Sequence, residues 1–165
     1  MTRCAEIETT EGNFVAEFSS RGLKRLEFPG KKAARKSIAT QQAPMDSRQQ
    51  RWLQLTESAL GDVMAGRKPR ALPPMDWEGS TAFQQNVWRA LLRITPGETK
   101  TYAAIGKVLG KPLAARAIGG ACGANPIPVL VPCHRVLAAN GHLGGFSGGL
   151  DWKRRLLAIE GIAAK

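Results

Sequence analysis

Apolar and polar positions follow two different rhythms along this chain. Near the N-terminus the period is two. After a Glu11-Gly12-Asn13 turn, Phe14, Ala16 and Phe18 alternate with Val15 and Glu17, and Leu23, Leu26 and Phe28 continue beyond Arg21-Gly22. This pattern predicts a β-rich segment, closed by Pro29-Gly30. Over 46–65 the period becomes helical. Trp52, Leu55, Ala59, Leu60 and Val63 share one face, Asp46 or Ser47 can cap it, and Gly66 ends it. Pro73-Pro74 then marks a domain boundary, giving an N-terminal α/β domain over 1–76 and a second domain over 77–165.

The second domain reads as short helices. Ser80 or Thr81 precedes a stripe of Phe83, Val87, Trp88, Leu91 and Leu92, stopped at Thr95-Pro96-Gly97. Thr101 can cap a helix carrying Ile105, Val108 and Leu109, which Gly110 stops. Pro112 opens another that runs to Asn125-Pro126. Two short helices around a glycine-containing turn predict a helix-turn-helix. The second of them is slim, built on Ala114, Ala115, Ala117, Gly119, Gly120 and Ala121. Such a helix can approach another backbone closely, whether a neighbouring helix or the wall of a nucleic-acid groove. Val129-Leu130-Val131 reads as a short buried strand ended by Pro132. A glycine-rich loop follows over 144–149, without the spacing or lysine of a phosphate-binding loop. Asp151 is expected to cap a last helix with Trp152, Leu156, Leu157 and Ile159 inward and Glu160 at its end.

Composition narrows the class. Hydrophobic residues make up 43% of the 165, so a disordered chain is excluded. No apolar run nears the ~18 residues of a membrane span. The N-terminus lacks the apolar core of a secretory leader. Three cysteines, an odd number without framework spacing, fit free thiols in a reducing cytoplasm. With two histidines, no metal site is expected. The net charge of +11 calls for a polyanionic partner, with nucleic acid ahead of a membrane surface. The range 77–165 carries 11 basic and four acidic residues. A basic stretch over 31–44, poor in large apolar groups, is expected to be a flexible loop.

The chemistry concentrates in Pro132-Cys133-His134-Arg135-Val136. A thiol is nucleophilic only as thiolate, and free cysteine titrates near ~8.5. His134 can take or share the proton of Cys133, and Arg135 adds fixed positive charge. A structural Cys-His pair is the alternative for such a dipeptide taken alone.

The surrounding blocks resemble the O6-alkylguanine-DNA alkyltransferases, also called methylated-DNA–protein-cysteine methyltransferases. The likeness covers about 81–161. It comprises Gly97-Glu98-Thr99-Lys100-Thr101-Tyr102, the alanine- and glycine-rich helix around Arg116, and Asn125-Pro126 through Val136. It also includes Gly145-Phe146-Ser147-Gly148-Gly149 and Leu156-Leu157-Ala158-Ile159-Glu160-Gly161. The resemblance implies a ribonuclease-H-like N-terminal domain and a helical C-terminal domain holding the helix-turn-helix and the cysteine. It implies that Cys133 accepts an alkyl group from O6-alkylguanine in double-stranded DNA, once and irreversibly, after the base has flipped out. His134 would relay the thiol proton through a water, and Glu160 would orient His134. Tyr102 would donate to guanine N3, and Asn125 would act as a hinge. Arg116 would enter the stack, with Ala115, Gly119 and Tyr102 also at the DNA. Val131, Val136, Phe146, Ser147 and Gly148 would line the base pocket. No cofactor is implied, and a cytoplasmic monomer is expected. Phe146 stands where some members have tyrosine, so a phenol bond is lost there. Cys122 reads as a buried, inert thiol near the pocket. Rival readings are a binder of alkylated DNA without chemistry, a helix-turn-helix regulator and a cysteine hydrolase. A thiol pKa below the free value is expected for Cys133.

Overall fold

The structure is a computed structural model that describes residues 1–31 and 44–165. The chain is mixed α/β and divides into two compact units, Met1–Glu78 and Gly79–Lys165. The basic stretch expected as a loop lies, over 32–43, outside the described residues.

In the first unit, β1 (Arg3–Thr9), β2 (Gly12–Phe18) and β3 (Leu23–Glu27) form an antiparallel sheet in the order β1-β2-β3. The alternation of Phe14, Ala16 and Phe18 puts all three side chains in the core. β1 pairs with β2 from Arg3↔Phe18 to Thr9↔Gly12, and only Ile7 of its residues is buried. That single buried position explains why no strand signal stands out there. Helix α1 (Ser47–Met64) begins where Asp46 and Gln49 complete a reciprocal capping box, and it buries Ala59, Leu60 and Val63.

The second unit carries the site. Helix α2 (Ala82–Leu91) starts at a Thr81–Gln84 capping box. The indole of Trp88 is buried and donates to the carbonyl of Ala121 at 2.8 Å. A two-residue strand, β4 (Lys100–Thr101), leads into α3 (Tyr102–Val108), whose cap is Thr101. Helix α4 (Ala115–Gly123) follows and packs against both α2 and α3. It starts three residues later than Pro112, from an Ala114 cap that offers no side-chain acceptor. The turn between α3 and α4 is tight. A Cβ on Gly106 would lie 2.7 Å from the carbonyl of Lys111, so only glycine fits.

Beyond it come a 3₁₀ turn (Cys133–Arg135), β5 (Val136–Leu137) and α5 (Leu150–Ile159). Gly149 at φ 94°, not Asp151, is the cap of α5. Asp151 lies within the first turn, where its carboxylate suits the helix dipole, and it pairs loosely with Arg154 at 3.6 Å.

Candidate active site

Three local devices assemble the site. The first is the turn over 125–131. Buried Asn125 donates from Nδ2 to the carbonyl of Val131 at 2.9 Å and accepts at Oδ1 from the Ile127 amide at 3.0 Å. The Val131 amide bonds back to the Ile127 carbonyl at 3.0 Å, and Val129 is held at φ 75°. A β-branched residue there is strained and persists only where its surroundings over-determine it. The segment expected to be a strand at Val129-Leu130-Val131 is therefore a turn, because the Asn125 side chain supplies the bonds that a neighbouring strand would. The chain leaves it with the Cys133 amide bonded to the Val131 carbonyl at 2.8 Å.

The second device is the parallel pair of β4 and β5, in which Lys100 faces Val136 and Thr101 faces Leu137. Tyr102 follows one strand and Cys133–Arg135 precedes the other, so this short pairing brings the phenol and the thiol to one place. Gly144 makes room for the phenol. It sits at φ 68°, and a Cβ on it would lie 2.9 Å from Tyr102 Oη.

The third device is a buried polar cluster. His134 is fully buried, and its Nε2 lies 3.1 Å from Glu160 Oε1. Arg135 grips the same carboxylate from Nε at 3.0 Å to each oxygen and from Nη2 at 2.7 Å. Its Nη1 donates to the Ile94 carbonyl at 2.6 Å. Burial opposes the Glu160 charge, yet the bonds from His134 and Arg135 win and hold its pKa at about 2. Burial lowers the His134 pKa below its usual range, against the pull of Glu160. A neutral imidazole beside an ionised carboxylate places its proton on Nε2. This leaves Nδ1, which has no protein partner among the described residues, as the basic nitrogen.

These devices surround a cavity of about 590 Å³ lined by Tyr102, Arg116, Cys122, Cys133, Phe146 and Ser147, with Ala115, Gly119, Gly123 and Gly145 completing the wall. Of the expected residues, Ala115, Arg116 and Gly119 thus line one cavity with Cys133, Tyr102, Phe146 and Ser147. Val131, Val136 and Gly148 do not line it. Both valines are core residues whose carbonyls are used instead, by Asn125 and by Lys153. His134 and Glu160 lie behind Cys133.

The expected low thiol pKa is not what the geometry supports. Burial pushes Cys133 up to about 11, opposed by a hydrogen bond from Asn125 and by the charge of Lys153. A thiol held that high keeps its proton at neutral pH. Cys122 is pushed still higher, to about 12, chiefly by burial. Tyr102 is also raised, by burial first, and stays a donor. Two residues escaped the sequence reading: Arg135 as the clamp on Glu160, and Lys153. Among the described residues no cluster of three His, Cys, Asp or Glu side chains is arranged for a metal ion.

The geometry is a buried thiol in a cavity walled by two short helices joined by a tight turn, and the comparisons place that arrangement in a class of DNA-binding proteins. Residues 82–162 match the family model of the 6-O-methylguanine DNA methyltransferase DNA-binding domain. The methylated-DNA–protein-cysteine methyltransferase of Mycolicibacterium paratuberculosis is 50% identical over 101 residues, which are 61% of this chain and 61% of that protein. The chain thus spans about three-fifths of the length of this curated relative. The Mycobacterium tuberculosis O6-methylguanine methyltransferase structure superposes with a TM-score of 0.75 at 35% identity, over 97% of this chain and 93% of that one. The Mycobacterium tuberculosis OGT in complex with DNA superposes at 0.71 with 36% identity, over 94% and 90%. The chain belongs to the O6-methylguanine-DNA methyltransferase family.

Proposed function

We propose that this protein repairs O6-alkylguanine in double-stranded DNA by moving the alkyl group irreversibly onto Cys133. The observation that carries this reading is the single cavity in which Cys133, Tyr102 and Arg116 meet beside the slim helix α4. The O6 substituent lies inside the paired duplex, so the base must first leave the stack, at a cost of a few kcal/mol. Arg116, exposed at the cavity mouth, fills the space it vacates. Ala115 and Gly119 let the DNA backbone come close, and the net charge of +11 attracts it.

In the transfer, the Cys133 sulfur forms a bond to the alkyl carbon while the carbon–O6 bond breaks and its electron pair passes to guanine. The thiol proton moves through a water to Nδ1 of His134, whose resulting charge Glu160 stabilises. Tyr102 donates to N3 of the departing base and prevents a full negative charge from building there. Phe146 and Ser147 hold the base against the cavity wall. The thioether has no route back to thiol, so one molecule repairs one lesion. The DNA itself supplies the alkyl group, and the reaction uses no cofactor.

Intact mass after incubation with an O6-methylguanine duplex tests the reading. A gain of one methylene equivalent, mapped to Cys133, supports it, and unchanged mass overturns it. Arg116→Lys refines it, since lysine keeps the charge but loses the planar group. It should slow reaction with duplex DNA and leave reaction with free O6-benzylguanine near wild type. An equal effect on both substrates would make Arg116 a structural residue.

A further inference from the structure

Among the described residues the exposed large hydrophobic side chains are Met1, Val108, Leu113 and Leu150. Val108 and Leu113 bracket the turn between α3 and α4, and Leu113 is 98% exposed. A single exposed leucine is ordinary, so its significance has to come from how it is held. Leu113 stands just before Ala114, the cap of α4. A hydrophobic residue at that position commonly packs against the fourth residue of the helix, here Ile118. Ile118 is wholly buried in the core instead, and the Leu113 side chain is left in solvent.

The backbone under Leu113 is fixed. The Ala114 amide donates to the Lys111 carbonyl at 3.0 Å and closes a turn with Pro112 and Leu113 at its centre. The Lys111 amide donates to the Gly106 carbonyl of α3 at 2.7 Å, and its Nζ lies 5.6 Å from the ring centroid of Phe83 on α2. Leu113 thus projects from a turn tied to two helices. Its setting is cationic. No Asp or Glu occurs from Thr99 to Leu150, and Lys107, Lys111 and Arg116 are exposed on and beside the turn. Arg116, three residues on, lines the cavity that holds Cys133. An apolar prong among cations disfavours a second copy of a chain charged +11. It suits a polyanion with an apolar interior, and stacked bases inside a phosphate backbone are that.

We propose that Leu113 is an apolar wedge for duplex DNA: it enters the base stack beside the lesion while Arg116 fills the place of the flipped nucleotide. The proposal rests on the functional reading above. Proteins that open or kink a duplex insert apolar side chains between base steps and exchange base stacking for contact with protein. Leu113 leaves water as it enters, and that burial offsets part of the cost of unstacking. Arg116 brings charge and a planar group. Leu113 brings desolvation alone, so its effect falls on opening the duplex and not on attraction to it.

The test separates opening from contact. Single-turnover transfer is measured from O6-methylguanine placed opposite cytosine and opposite an abasic site, where the lesion is already loosened. Leu113→Ala should slow the paired duplex about tenfold and the abasic duplex less than about threefold. Reaction with free O6-benzylguanine, which needs no opening, should stay within about twofold of wild type. Leu113→Asn, polar and of similar size, should behave as Leu113→Ala does, and Leu113→Met should stay near wild type. Equal slowing on both duplexes makes Leu113 a plain groove contact and overturns the proposal. So does a lowered melting temperature of Leu113→Ala, which would make the residue structural, or a change in its sedimentation without DNA, which would make it a contact between copies. If wild type transfers no alkyl group, the functional reading fails, and 2-aminopurine in duplex DNA still reads the wedge. Its fluorescence should rise on binding wild type and rise much less on binding Leu113→Ala; equal rises overturn the proposal.

Discussion

Two thiols share one cavity wall and are made differently. Cys122 sits within α4, a helix whose backbone bonds are regular and whose other buried residues are Ile118 and Ala121. Cys133 sits at the start of a 3₁₀ turn, behind a strained valine and an asparagine that bonds both backbone and sulfur. Both are buried, and burial raises both. The difference lies in neighbours: Cys133 has the Asn125 hydrogen bond and an adjacent histidine backed by an ionised glutamate, and Cys122 has neither. Exposure therefore does not distinguish the two thiols. The Asn125 hydrogen bond and the His134–Glu160 pair beside Cys133 do.

The comparison breaks most sharply if the alkyl group is found on the wrong sulfur. Cys133→Ala should abolish transfer completely while DNA binding persists, because phosphate contacts lie elsewhere. Residual transfer mapped to Cys122 would mean that the two sites are equivalent.

The next largest effect should come from the cluster behind Cys133. General-base assistance is worth about 10²–10⁴-fold, so His134→Ala should slow transfer by roughly that factor. Glu160→Gln should follow closely, and the double variant should lose much less than the product of the two. Single-turnover rates on one duplex give all three values, and independent losses would separate the residues.

A smaller effect concerns pH and stability. The pKa of His134 is lowered on folding, so below its ordinary value of 6.5 the unfolded chain binds more protons. Glu160 likewise falls from 4.5 to about 2, and its contribution, complete above 4.5, is lost as pH drops toward 2. The thermal midpoint should therefore decline below pH 6.5, and again below 4.5. A His134→Asn protein should lack the first decline. Scanning calorimetry at stepped pH reads this, and identical profiles would remove His134 from the balance.

The smallest change should be Cys122→Ala. It deletes a sulfur outside the proposed transfer step, so transfer should stay within about threefold, and the melting point should fall by the few degrees of a small core truncation. A large loss of rate with an unchanged melting point would give Cys122 a chemical role.

Much of this protein was determined by its sequence read locally. The period of two at Phe14, Ala16 and Phe18, the capping pattern at Asp46 and Thr81, and the order of the motifs from Gly97 to Gly161 each depend on residues a few places apart. Local propensity acts on that scale. The spacing of Lys153 from Leu156, Leu157 and Glu160 also lies on a helical stripe, and it was a usable sign that this lysine points inward. Composition argues the opposite, because a lysine is exposed unless something distant satisfies it. What only the tertiary structure decided shares one cause. The turn at Val129 depends on the side chain of Asn125, Glu160 is held by an arginine 25 residues away, and the Lys153 ammonium is bonded by carbonyls up to 17 residues away. Buried polar groups must find partners wherever folding brings them, and no local period records which partners those are.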